Sequence, residues 1–278
     1  MPAKDYFMTV QSEPTSDKKP VGFLTDTTLC IGCKACEVAC KQWNSLPMDN
    51  FGFTASSYDN THDLGASTWR HVTFVEQFPG EARPTSMPPF QSNWLMMSDI
   101  CKHCVNPPCM QACPTGAIVI TEYGTVVIQQ DVCNGCGYCV PACPFGVPEL
   151  STLDNKAHKC TLCYDRLGSS LEPACSKACP TDSIQFGYTD ELAQRAHRRV
   201  DELRERGVAT AYVYGDQHTG GTGGIGGLRA SFILTAPSEL YNLPAEPELP
   251  QRKSVPGYLS TLAASAAFGV MMVLCLKK

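Results

Sequence analysis

Sixteen of the seventeen cysteines stand in four short clusters, and that ladder restricts the fold more than any other feature of the 278-residue chain. The clusters are Cys30, Cys33, Cys36, Cys40; Cys101, Cys104, Cys109, Cys113; Cys133, Cys136, Cys139, Cys143; and Cys160, Cys163, Cys175, Cys179. Three of them end in Cys-Pro, at Pro114, Pro144 and Pro180. In a C-x2-C-x2-C-x3-C run, three closely set thiolates wrap one cubane iron–sulfur cluster while the fourth reaches a second. Four quartets therefore imply four [4Fe–4S] clusters, an array suited to carrying electrons. Disulfide frameworks belong to short secreted chains with paired cysteines, and structural zinc favours two C-x2-C pairs across a longer gap. Neither fits an odd count laid out as repeated C-x2-C-x2-C triples.

The length suits two or three domains, and 43% hydrophobic with 18% charged residues supports a packed globular chain. A formal charge of −5 and the lack of a Lys/Arg stripe exclude nucleic acid as a partner. Ligation free energy is folding free energy in small metal domains, so the apo-chain is expected to fold poorly. Met1 to Pro20 has no apolar core and no paired arginines, so no cleavable signal is read there. A surface extension, or one draped over a partner, is expected instead.

Between Asp99 and Glu149 two quartets flank Ala117–Ile120 and Thr125–Ile128, β-branched runs around a Gly124 turn that predict a hairpin. Quartet, hairpin, quartet resembles a bacterial two-cluster ferredoxin from end to end. Cys113-Pro114-Thr115-Gly116-Ala117-Ile118 is echoed by Cys179-Pro180-Thr181-Asp182-Ser183-Ile184, the mark of a duplicated unit. If the second quartet pairs with the third, the first pairs with the fourth, and the inner ferredoxin is inserted in an outer one. Cys40 departs from the pattern, because Lys41 and not Pro follows it. The expected fold is α+β. An outer ferredoxin-like domain takes 21–98 with 150–190, an inserted one 99–149, a helix and partner-facing extension 191–255, and a transmembrane anchor 256–278.

The cysteine-free stretch from Trp43 to Trp94 is expected to be functional or partner-facing. After Gly187 an amphipathic helix is predicted, capped by Asp190, buried along Leu192, Ala196, Val200 and Leu203, and ended by Gly207. Its arginines alternate with Asp201, Glu202 and Glu205, as on a solvated face. Gly215 to Gly227 is glycine-dense without a nucleotide signature and reads as a loop. Tyr258 to Leu276 carries no charge over nineteen residues, about 28 Å as a helix against a ~30 Å hydrocarbon core. A buried core helix competes with a membrane anchor. The Pro244–Pro256 linker and flanking lysines favour the anchor, while Arg252, Lys253, Lys277 and Lys278 balance across it and leave its orientation open. Small residues at Ser260–Ala264, Ala263–Ala267 and Ser265–Gly269 suit packing on another membrane helix. Cys275, outside every quartet, reads as apolar filler.

The run Cys30 to Cys40 with Gln42-Trp43-Asn44 resembles the iron–sulfur subunit of membrane-bound respiratory formate dehydrogenases. So do Tyr58-Asp59-Asn60, Lys159 to Arg166, Glu172 to Cys175 and Tyr241-Asn242-Leu243-Pro244. That resemblance implies a non-catalytic electron-transfer subunit. Its partners would be a molybdopterin catalytic subunit, with molybdenum or tungsten, and a membrane cytochrome b subunit. It implies a single-pass anchor with the bulk of the chain on the periplasmic, outer face. It also implies crossed ligand sets: Cys30, Cys33, Cys36 with Cys179; Cys160, Cys163, Cys175 with Cys40; Cys101, Cys104, Cys109 with Cys143; and Cys133, Cys136, Cys139 with Cys113. The alternative is the equivalent subunit of another molybdopterin oxidoreductase or of a hydrogenase. Lys34, Lys102 and Lys159 stand beside ligands and would raise potentials by their charge, the plainer expectation being surface lysines. His103 and His158 are expected to be structural, since thiolates already fill every cluster.

Overall fold

Short β-branched runs and brief helices after the cysteine loops make an α+β chain. The computed structural model describes residues 18–49, 52, 58–59, 61–77, 93–216, 224–250 and 254–276. Most of the amino-terminal extension, Asn60, the middle of the glycine-dense loop, and Arg252, Lys253, Lys277 and Lys278 lie outside the described residues. In chain order the strands are β1 Val21–Asp26, β2 Arg70–Gln77, β3 Asn93–Ile100, β4 Ile118–Ile120, β5 Val126–Ile128, β6 Glu149–Leu150, β7 Ala157–His158, β8 Ile184–Tyr188, β9 Tyr212–Tyr214 and β10 Ala230–Leu234. The helices are α1 Ala35–Asn44, α2 Pro108–Gln111, α3 Cys139–Ala142, α4 Tyr164–Gly168, α5 Ala174–Lys177, α6 Thr189–Glu205 and α7 Ser254–Leu276.

The predicted inner hairpin forms as β4 and β5, with Val119 opposite Val127 and Gly124 at φ 77° in the turn. The outer quartets have no such local hairpin. Their sheet runs β8-β1-β10-β9, with β1 antiparallel to β8 and parallel to β10. Phe23 faces Phe186 across β1 and β8 with ring centroids 5.9 Å apart. This pairing brings the segment before the first quartet beside the segment after the fourth. The segment 191–255, expected as a helix and partner-facing extension, supplies β9 and β10 to that sheet. The cysteine-free stretch supplies the long hairpin of β2 and β3.

Helix α6 buries the predicted face: Leu192, Ala196, Val200 and Leu203 pack with Leu24, Val213 and Ile233. Each of the larger side chains gains about 2 kcal/mol by leaving water. Gly207, at φ 94°, ends the helix as expected. Asp190 does not cap it, contrary to the expectation. Tyr188 occupies the N-cap without a side-chain bond, and Asp190 lies within the first turn, where its charge still faces the positive helix end.

Helix α7 is present, and its described side chains, 257–272 and Cys275, are exposed. That excludes the buried core helix. Among the described residues no helix is long and apolar enough to cross a membrane.

Candidate cluster-binding sites

All four quartets use the same backbone device. The residue before the second cysteine is left-handed in each: Gly32 at φ 64°, His103 at 43°, Gly135 at 74° and Leu162 at 58°. This reversal curls the loop so that successive cysteines face one cavity. Glycine adopts it without strain, and space also demands glycine in two places. A Cβ at Gly32 would meet Met96 Sδ at 2.5 Å, and one at Gly135 would meet the Asn155 carbonyl oxygen at 2.1 Å. His103 and Leu162 hold the same turn as fully buried residues, a conformation that costs about 1 kcal/mol or more and needs its surroundings to enforce it.

Proline sets the other end of each loop. Helices α2, α3 and α5 are four residues long and stop just before the Cys-Pro pairs, because the residue before proline is steered out of the helical region. Cys40 has no such brake. It lies inside the ten-residue α1, which runs on through Lys41 to Asn44.

Three cavities collect the cysteines. One is lined by Cys30, Cys33, Cys36 and Cys179. Another is lined by Cys101, Cys104, Cys109 and Cys143, and a third by Cys113, Cys133, Cys136 and Cys139. The remaining four, Cys40, Cys160, Cys163 and Cys175, are buried and within electrostatic reach of one another. Among the described residues no three Cys, His, Asp or Glu side chains could hold a single metal ion, as a structural zinc would require with thiolates about 3.8 Å apart. Neighbouring groups also touch electrostatically: Cys36 with Cys175, Cys160 with Cys101, and Cys109 with Cys139.

Burial pushes the thiols up, to about 11 for Cys36, Cys139 and Cys163 and about 12 for Cys109, and well above the ordinary value for Cys104 and Cys160. Without iron these cysteines keep their protons, and ligation must expel them. Polar partners tune individual sulfurs. Ser98 Oγ lies 3.1 Å from Cys36 Sγ, the Leu162 amide donates to Cys160 Sγ at 3.2 Å, and Arg70 Nη2 donates to Cys175 Sγ at 3.2 Å. All-thiol donors converging on shared cavities and hydrogen bonds aimed at sulfur fit [4Fe–4S] clusters.

Two of the three lysines are not surface residues. Lys102 and Lys159 are 1% and 2% exposed, whereas Lys34 is half-buried and paired with Glu37 at 3.7 Å. Lys102 pairs with Asp99 and donates to the Ile100 carbonyl at 2.8 Å. His158 pairs with Asp154 at 2.9 Å near the surface. Sequence reasoning missed Arg70 and Ser98. Arg70 stands on β2 in the cysteine-free stretch and Ser98 on β3 just beyond it, and a strand arginine carries no mark of burial in sequence.

A family described as 4Fe-4S dicluster domain matches residues 92–189. The chain is 38% identical to the nitrate-inducible formate dehydrogenase iron-sulfur subunit of Escherichia coli, over 93% of this chain and 84% of the relative. It is 38% identical to the formate dehydrogenase iron-sulfur subunit of Haemophilus influenzae, over 87% of this chain and 74% of the relative. A subunit of the anaerobic dimethyl sulfoxide reductase of Escherichia coli is 33% identical, over 63% of this chain and 76% of the relative.

Proposed function

We propose, from the premise that this protein belongs to the iron–sulfur subunits of formate dehydrogenases, that it conducts electrons from a formate-oxidising molybdenum or tungsten pterin subunit to a quinone-reducing membrane cytochrome b subunit. The chain is an electron-transfer subunit carrying [4Fe–4S] clusters, and it is not itself the catalyst. Four clusters would be held by the crossed sets: Cys30, Cys33, Cys36, Cys179; Cys40, Cys160, Cys163, Cys175; Cys101, Cys104, Cys109, Cys143; and Cys113, Cys133, Cys136, Cys139. The supporting observation is that three cavities each gather three cysteines of one quartet and the last cysteine of another. When bound, the clusters supply one-electron transfer.

The chain's own part is to order and insulate the sites. Electrostatic influence of Cys175 on Cys36, of Cys101 on Cys160, and of Cys139 on Cys109 supports a linear series, crossing from outer to inner unit at Cys160 and Cys101. Helix α7 would be a single-pass anchor with the bulk of the chain on the outer face. Its exposed apolar side chains support that reading. A second reading, service to another molybdopterin enzyme, is favoured by the likeness to the dimethyl sulfoxide reductase subunit. Purifying the complex and assaying formate against sulfoxide and nitrogen-oxide substrates tests the choice. Formate-dependent reduction of the clusters is expected, and its absence alongside sulfoxide-dependent oxidation would reverse it.

A further inference from the structure

Lys159 is buried in the wall of a cysteine-lined cavity. Its Nζ donates to the Val126 and Cys160 carbonyl oxygens, the latter at 3.0 Å. Among the described residues no carboxylate pairs with it, in contrast to Lys102 and its Asp99. A buried charge with only carbonyl partners calls for an anion nearby. Lys159 lines the cavity of Cys101, Cys104, Cys109 and Cys143, and of the neighbouring charges acting on Cys109 its own is the largest.

His103 lines the same cavity and bonds to the same residue, Val126. The Val126 amide donates to His103 Nδ1 at 3.0 Å, so the ring proton sits on Nε2. Nε2 is buried and has no hydrogen-bond partner among the described residues. A left-handed backbone at His103 fixes the ring there. Among the described residues a buried donor with no hydrogen-bond partner and a buried cation with no carboxylate face one cavity, and both needs are met by an anionic group rich in sulfur.

We infer that Lys159 and His103 are a redox-tuning pair for the cluster of Cys101, Cys104, Cys109 and Cys143, the lysine by its charge and the histidine by an Nε2–H donor to cluster sulfur. The inference rests on the ligand grouping proposed above. With a cluster held by these four cysteines, an electron received from the preceding site would add one negative charge here until it passed to the next. A fixed cation and an N–H donor favour that reduced state. The pair therefore makes this site the easier one to reduce just past the crossing between units.

The test uses the intact complex, with anaerobic potentiometric titration followed by electron paramagnetic resonance. Cys109→Ser first marks which signal belongs to this site. Lys159→Met should lower the reduced-to-oxidised ratio of that signal about 30-fold at fixed poise, about 90 mV for a one-electron couple. Lys159→Arg should keep the original midpoint. An unchanged midpoint in Lys159→Met, with all signals retained, overturns the proposal. If instead Lys159→Met moves a signal that Cys109→Ser leaves alone, the ligand grouping has failed and not the tuning. Should Lys159→Met fail to assemble, the unaltered protein labelled with 15N-histidine decides: pulsed resonance of the reduced site should show a labelled-nitrogen coupling, and its absence overturns the proposal.

Discussion

Arg70 Nη2 donates to Cys175 Sγ at 3.2 Å across 105 positions of sequence. The same guanidinium donates through Nη1 to the Ser98 carbonyl at 3.1 Å, and Ser98 in turn lies against Cys36. It also stacks 4.9 Å from the Phe23 ring centre. Burial alone would lower the guanidinium, but the Cys175 and Cys36 sulfurs more than offset it and raise it. Arg70 is thus a fixed cation between the two outer sites. Arg70→Met should lower the midpoints of both outer clusters and destabilise the outer unit by roughly 3–5 kcal/mol, the usual cost of orphaning buried charge. Arg70→Lys should recover only part of this, because an ammonium lacks the planar fork that reaches two acceptors. Redox titration with iron analysis checks both variants, and outer midpoints that stay put in Arg70→Met would refute the role.

Cys40 is expected to complete the site of Cys160, Cys163 and Cys175. Its thiol is raised by burial first and then by Cys175 and Cys163. Cys40→Ser should perturb one outer signal and leave the inner pair intact. If the inner signals vanish while both outer ones persist, the crossed pairing is wrong.

Local spacing carried much of this fold, and distant pairing carried the remainder. The cysteine loops, the β4–β5 hairpin and the buried face of α6 each depend on residues within about one or two turns of each other, so their periods are readable. The β1–β8–β10 sheet is not, because Phe23 pairs with Phe186 on one side and Ala230 on the other, and nothing near any of the three names its partner. Arg70 was illegible for a related reason. Its burial makes sense only once Cys175, Ser98 and Phe23 surround it. Lys102 and Lys159 were judged by residue type, which predicts exposure, yet their stems lie inside the wall of one cavity. The cap of α6 was misplaced because β8 runs straight into the helix at Tyr188 and leaves no turn for Asp190 to close.

His71 Nε2 lies 2.8 Å from both oxygens of Asp59, which joins the cysteine-free stretch to β2. Burial would raise Asp59, but the bond and charge of His71, with the His62 and Thr61 amides, hold its carboxyl down at about 2. A depressed carboxyl contributes stability in full above its unfolded value near ~3.9 and loses it as pH falls toward the folded value. Asp59→Asn should therefore cost roughly 2 kcal/mol at neutral pH. Unfolding midpoints of the two proteins should stay equally far apart from pH 7 to about pH 4 and converge below it. A gap that closes already between pH 7 and pH 5 would point to a different group.

Helix α7 presents Leu259, Leu262, Phe268, Val270, Met271 and Met272 as exposed side chains. Six large apolar groups on one exposed helix need a non-aqueous neighbour, whether lipid or a partner's membrane helices. The helix holds no group that could carry an electron, so the contribution proposed for it is positional: as an anchor it would keep the cluster series beside the membrane subunit and turn an encounter into a fixed geometry. Deleting Tyr258 to Lys278 should spare formate oxidation with an artificial acceptor, weaken quinone-linked activity, and loosen the complex from its membrane subunit. Washing membranes with high salt and assaying both activities separates the outcomes. Full quinone reduction by a truncated chain that stays membrane-bound in high salt rules out anchoring, and general loss of clusters would mean that α7 supports the folded body instead.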